Sequence, residues 1–295
     1  MKNDERFLVT KASSAQITKI QNIEREAMVN RNIGEALKRV KLDQKWNKER
    51  LEGRILGIKP SFVMRYFQPS FSDRRQLHVL AYISWLIQIP MAALYYGKEL
   101  KRYWSFNEGG YEVLVSVAQL STRDFDAFVN FLSRCNLLVE NEQRISQILD
   151  ELSQYEDALF IAPKEVNIWK LGVDYYRSTG MVLKRIRIVN EFMIEEMASV
   201  LGVSPEIYQR YEALDPGVQM RSEIGHRAFE GFNLRSSALF LDYMKEYKGL
   251  RTARQVQERR AEIISLTWNS LKSKQEETMV SSLAQSMMGC AYLRV

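Results

Sequence analysis

Two histidines, His78 and His226, and two cysteines, Cys135 and Cys290, make up the chain's stock of strong metal ligands and nucleophiles. The cysteines lie far apart with no histidine beside them, so neither a zinc spacing nor a disulfide framework is present. Each histidine falls inside a predicted helix, where a structural imidazole is the expectation. The carboxylates of LDELSQYED, residues 149–157, read as a solvated helical face. GxGxxG, GxxxxGK[ST], HExxH and GxSxG are absent, so neither an enzyme nor a cofactor is expected. What remains is chemistry of recognition. In SPEIYQRYE, residues 204–212, Tyr208 and Tyr211 stand three apart and share an inward face. Glu206, Gln209 and Arg210 are left on the opposite, exposed side.

Short helices must hold that ridge. IEEMASVLG puts Ile194, Met197, Val200 and Leu201 on one face, and Gly202 ends the helix in the left-handed conformation that glycine accepts. Ser204 caps the next helix, with Pro205 at its first helical position. The preceding VLKRIRIVNEF turns Leu183 and Ile186 inward. The same pattern occurs earlier in the chain. Leu56, Gly57, Pro60, Arg65 and Tyr66 precede Leu201, Gly202, Pro205, Arg210 and Tyr211 by 145 positions, and LKRVK at Leu37 precedes LKRIR at Leu183 by 146. Two matches in order at nearly one offset indicate a duplicated unit.

The run from Arg185 to Glu212 resembles the lambda-repressor/Cro-type (XRE) helix-turn-helix family through Met197, Ala198, Leu201, Gly202, Val203, Ser204, Arg210 and Glu212. The earlier copy resembles it more loosely through Leu56, Gly57, Ile58, Val63 and Arg65, and again downstream through Ile89, Pro90, Leu94 and Gly97. It departs from the pattern at Ile194, where the family usually has glutamine, at Ala213 for glycine, and at Lys59 and Phe67 in the first copy. The resemblance spans roughly residues 32–97 and 180–243.

That resemblance implies a third helix lying in the major groove of double-stranded DNA. Ser204, Pro205, Glu206, Gln209 and Arg210 would face the bases in the second copy. Glutamine can pair with adenine, glutamate can accept from cytosine, and arginine can reach guanine or phosphate. In the first copy the comparable face carries Lys59, Ser61, Phe62, Met64 and Arg65, where Phe62 or Met64 could touch a thymine methyl. Lys38, Arg39, Lys184, Arg185 and Arg187 would contact phosphate without specifying sequence. Two such heads in one chain would address half-sites about one helical turn apart, roughly 34 Å.

The bulk properties agree with a soluble, all-α protein. The 295 residues hold only six prolines and carry a net charge of +6, which mildly favours polyanions. The apolar run from Leu77 to Gly97 reads as a buried helix, a break at Pro90 and a second helix, with no membrane span. The N-terminus has no secretory leader, so the cytoplasm and its nucleoid are expected. Further breaks are expected at 106–110, 162–165, 177–180 and 215–217. The expected organisation is an N-terminal arm or helix (1–31), a divergent first helix-turn-helix domain (32–97), a helical connector (98–179), a second such domain (180–243) and a C-terminal helical segment (244–295). That last segment, basic at Arg251, Arg254, Arg259 and Arg260, either packs on the core, mediates self-association or stays solvated. A sequence-specific regulator of transcription is the leading expectation, acting alone, as a homodimer or with another regulatory protein. Two other readings stay open: an antirepressor or adaptor that keeps the fold without binding DNA, and a plasmid or phage replication or partition factor.

Overall fold

Apolar residues at three- and four-residue spacing become helices along nearly the whole chain. The computed structural model describes residues 5–71, 75–96, 108–215, 217–234 and 236–292, and the side chains of all of these except 108 and 290–292. Gly97, residues 106–107 of the 106–110 break, Pro216 and the side chain of Cys290 lie outside the described residues. Sixteen α-helices and one two-stranded parallel sheet are present among the described residues, so the fold is all-α.

After the N-terminal helix α1 (Ser14–Gln21), the first unit runs through α2 (Ile23–Asp43), α3 (Lys48–Leu51), β1 (Ile55–Leu56), α4 (Pro60–Tyr66), α5 (Leu77–Ile87) and α6 (Met91–Tyr96). The middle of the chain forms α7 (Glu108–Val117), α8 (Thr122–Arg134), α9 (Glu142–Ser153), α10 (Asp157–Phe160) and β2 (Val166–Asn167). The second unit follows as α11 (Ile168–Val189), α12 (Ile194–Leu201), α13 (Pro205–Glu212) and α14 (Ser222–Gly231). Two long helices, α15 (Lys248–Ser270) and α16 (Lys274–Tyr292), finish the chain.

Six buried positions on α2 recur at the same spacing on α11. Val29, Ile33, Gly34, Ala36, Leu37 and Val40 are buried on α2. Their counterparts 146 positions on, Tyr175, Thr179, Gly180, Val182, Leu183 and Ile186, are buried on α11. Each unit therefore begins upstream of the bounds expected from the resemblance, at Ile23 and Ile168. An antiparallel bridge joins Gln76 to Arg221, which are 145 positions apart. Its two bonds run from Leu77 N to Met220 O (2.9 Å) and from Ser222 N to Arg75 O (2.8 Å). Exchanging each residue for its counterpart turns one bond into the other, so a local two-fold axis passes through the bridge. The same exchange relates α11 packed on α5 to α14 packed on α2. It also relates the pair His78–Tyr176 to the pair Glu223–Asn30.

The break expected at 177–180 does not occur, because those residues lie inside α11. Gly180 is small for packing: a Cβ there would meet the Tyr211 carbonyl oxygen at 2.3 Å. The two units share one hydrophobic core that extends from Phe7 to Ala284. The N-terminal segment belongs to it, with Phe7 buried and Ala12 N donating to Gly231 O at 2.8 Å. The run from Leu77 to Tyr96 is buried throughout, and among the described residues no helix is long and apolar enough to cross a membrane.

The C-terminal helix α15 packs into the core. Its four arginines are engaged within the chain. Arg254 donates to Ser84 Oγ at 2.6 Å, and Arg260 donates to the carbonyls of Leu120 (2.8 Å) and Ala118 (3.3 Å) just beyond the end of α7. Arg251 pairs with Asp242 (2.7 Å) and Arg259 with Glu151 (2.7 Å). Buried Asp174 on α11 anchors the lead into α15, accepting the backbone N–H groups of Lys245 (2.9 Å), Glu246 (2.9 Å) and Tyr247 (3.0 Å).

Candidate nucleic-acid interface

Gly202 closes α12 with φ of 63°. Ser204 Oγ then accepts the Ile207 N–H at 3.4 Å, and Pro205 begins α13. One face of α13 is sealed by Tyr208, fully buried, and Tyr211, 6% exposed. The Tyr208 hydroxyl donates to Glu212 Oε1 at 2.6 Å. Arg187 on α11 grips the same carboxylate with Nε at 2.6 Å and Nη2 at 2.9 Å. Burial raises the pKa of Glu212, but the bonds from Arg187 and Tyr208 outweigh it and hold the carboxyl below its ordinary range. The opposite face of α13 leaves Ser204, Glu206, Gln209 and Arg210 exposed, with Pro205 half-buried.

The surrounding cations divide into two groups. Arg187 is committed to Glu212, and Arg39 to Glu112 and Asp43, so both fasten helices to one another. That task comes from tertiary pairing and had no signature in the column match that suggested phosphate contacts. Lys38 and Lys184 are exposed and Arg185 is half-buried. Arg210 Nε donates to Asp215 Oδ2 at 2.8 Å, a pair whose side chains are 49% and 34% exposed. A pair this exposed adds little to stability and is readily exchanged for another anion. Lys11 pairs with Glu196 in the first turn of α12. Glu195 and Glu196 make the first turn of that helix acidic.

The first unit departs from the helix-turn-helix geometry. Its second helix is only one turn, α3. The chain then extends at Ile55–Leu56 and pairs with Val166–Asn167. Lys59 stands at the head of α4 without making a side-chain cap. Lys59, Ser61 and Arg65 are exposed, and Phe62 and Met64 are half-buried. Arg65 lies over the Phe71 ring, 4.9 Å from its centroid. Trp169 from the second unit covers the turn, with Nε1 donating to Gly57 O at 2.9 Å. It also lines a cavity of about 460 Å³ with Lys59, Phe62 and Arg65.

On its other side Trp169 borders a second cavity, of about 190 Å³, shared with Arg210 of α13. The two third helices thus flank one indole. Sequence reasoning missed Trp169 and Tyr176 in this region and read His78 only as a structural imidazole, because only the docking of the units brings the three together. His226 is a core histidine, set edge-on against Tyr95 and Tyr96 with centroids 5.7 and 5.8 Å away. Among the described residues no group of His, Cys, Asp or Glu could hold a metal ion.

His78 makes the fold sensitive to acid. Its side chain is 1% exposed and burial pushes its pKa down to about 4 from an ordinary 6.5. Between those values the unfolded chain binds a proton that the folded chain refuses, so stability falls as pH falls. At about 1.4 kcal/mol per pKa unit, the loss approaches roughly 3 kcal/mol near pH 4. Urea unfolding at pH 7 and pH 4.5 should show this slope in the parent and a clearly shallower one in His78→Gln. Equal slopes would remove His78 as its source.

No known family matches the chain, and neither a curated protein nor a solved structure matches it.

Proposed function

We propose that the chain is a sequence-specific double-stranded DNA-binding regulator of transcription that reads the major groove with α13. The observation that carries this reading is the outward ridge of Ser204, Glu206, Gln209 and Arg210, backed by buried Tyr208 and Tyr211. A short rigid helix with polar, base-length side chains on its free face suits direct readout. Lys184 and Lys38 supply exposed charge for phosphates, while α4 offers Lys59 and Arg65 more than base-reading groups. On this reading the protein works on the nucleoid in the cytoplasm.

Gel shifts against genomic fragments test it. Gln209→Ala and Arg210→Ala should each weaken the specific complex by about 1–3 kcal/mol, roughly 5- to 150-fold. If Arg210 contacts phosphate, its variant should also flatten the dependence on salt, and Gln209→Ala should not. Unchanged affinity in both variants rules out α13 as the reader.

A specific observation favours one other reading. Leu56 (44% exposed), Trp169 (45%), Val173 (59%) and Leu214 (37%) leave apolar surface beside α13. Together with the acidic start of α12, this surface suits a protein partner, as an antirepressor or adaptor would require. In that case no DNA fragment shifts, and a partner binds with little dependence on salt.

A further inference from the structure

We propose that the cavity between α5, α11 and the turn at 214–220 is a binding site for a small planar aromatic acid that carries an N–H or O–H donor. The inference rests on the cavity alone and does not require the DNA-binding reading.

The hydrogen bonds on its wall dictate the donor. Tyr176 Oη donates to Met220 O at 3.0 Å. Its one proton is thereby used, so its 2.7 Å contact with His78 Nδ1 requires a proton on that nitrogen. A neutral imidazole protonated at Nδ1 presents an acceptor at Nε2. That Nε2 is buried and has no partner, an arrangement that costs free energy until a donor arrives. The ring sits directly on Gly172, where a Cβ would meet Cδ2 at 3.0 Å and Nε2 at 3.2 Å, so the missing side chain lets the imidazole take this place in the wall. Both residues line the cavity.

Size and charge supply the rest. The cavity measures about 190 Å³, and an apolar cavity of roughly 150 Å³ holds benzene. One ring with two small substituents therefore fits. Trp169 and Tyr176 offer aromatic walls. Arg177 lies on the lining, half-buried, and no ion pair to it is present among the described residues. A guanidinium so placed matches a carboxylate. The Arg210–Asp215 pair closes another part of the rim.

2-Aminobenzoate is the probe: one ring, one carboxylate and one N–H donor. Titrated into the full chain with nitrogen-15-labelled histidine, it should bind saturably and one-to-one. It should move the unprotonated Nε2 resonance of His78 while leaving His226, the only other histidine, unchanged. Benzoate, which lacks the donor, should bind at least tenfold more weakly. Arg177→Leu, a substitution at a half-buried position, should weaken 2-aminobenzoate at least tenfold and leave aniline unaffected. Gly172→Ala, whose Cβ would crowd the imidazole at 3.0 Å from Cδ2, should displace the ring and abolish the His78 response. Absence of saturable binding means the cavity holds only water and overturns the proposal. So does binding that leaves His78 unmoved or is indifferent to Arg177→Leu.

Discussion

Gly180→Ala is expected to lower the free energy of unfolding by about 3 kcal/mol, although alanine is the better helix former by about 1 kcal/mol. The new Cβ would lie 2.3 Å from Tyr211 O and 2.9 Å from Leu214 Cδ2. A leucine tip can swing aside, but a backbone oxygen cannot, so α13 would have to retreat from α11. The retreat would strain the Arg187–Glu212–Tyr208 cluster that fastens the two helices. Overpacking of this kind costs about 1–3 kcal/mol and occasionally more. The duplicated unit supplies an internal repeat of the experiment. At Gly34 a Cβ would come within 2.6 Å of the Pro69 Cα and 3.1 Å of Gln68 O, so Gly34→Ala should destabilise in the same direction. Urea midpoints of both variants against the parent provide the check. Parental stability in Gly180→Ala would mean that α11 and α13 do not need their close approach.

Gly180 also shows where the sequence was misleading. RSTG looks like a break when glycine is weighed only for backbone freedom. The alternative, a helical glycine kept small for a neighbour, depends on which surface docks there, and no local pattern reveals that. The duplication itself was legible from five shared residues and one basic run. Four of the six matched buried positions, the glycines at 34 and 180 among them, fall outside those short stretches.

Local signals carried the second unit well. Gly202, Ser204, Pro205 and the Tyr208–Tyr211 spacing each have a mechanism acting within four residues. The first unit was less legible because its second helix is cut short by a distant partner. Ile55 and Leu56 extend to pair with Val166 and Asn167, more than a hundred residues away. Arg187 and Arg39 illustrate the same limit for the interface. Their basic character is plain in the sequence, but whether a guanidinium faces solvent or a carboxylate is decided by packing. The cavity beside Trp169 is the extreme case, since it exists only where the two units meet.

The turn before α13 gives the other large effect. Gly202→Ala should cost about 4 kcal/mol, and two separable terms make up that figure. Alanine in the left-handed conformation required at φ of 63° costs about 1–2 kcal/mol. The remainder comes from Arg227, which reaches over from α14. Its Nη1 donates to Leu201 O (2.9 Å) and Gly202 O (3.0 Å), and its guanidinium pairs with Glu26. A Cβ on residue 202 would sit 1.9 Å from Nη1 and 2.5 Å from Cζ. The guanidinium, buried to all but 7%, would have to leave the carbonyls it caps, and a bond from a charged donor is worth about 1.5–3 kcal/mol. Tyr82, the counterpart of Arg227 in the first unit, makes a similar clasp, donating to Arg54 O at 2.9 Å. Gly53 supplies the control. Its φ is +76° and a Cβ there meets nothing within 4 Å, so Gly53→Ala should show the conformational term alone, about 1 kcal/mol. Coupling separates the terms further. Because Gly202→Ala by itself displaces the Arg227 guanidinium, the double variant with Arg227→Met should lose much less than the sum of the two single losses. Additive losses, or equal losses at Gly53 and Gly202, would show that the arginine clasp does not hold the turn that presents α13.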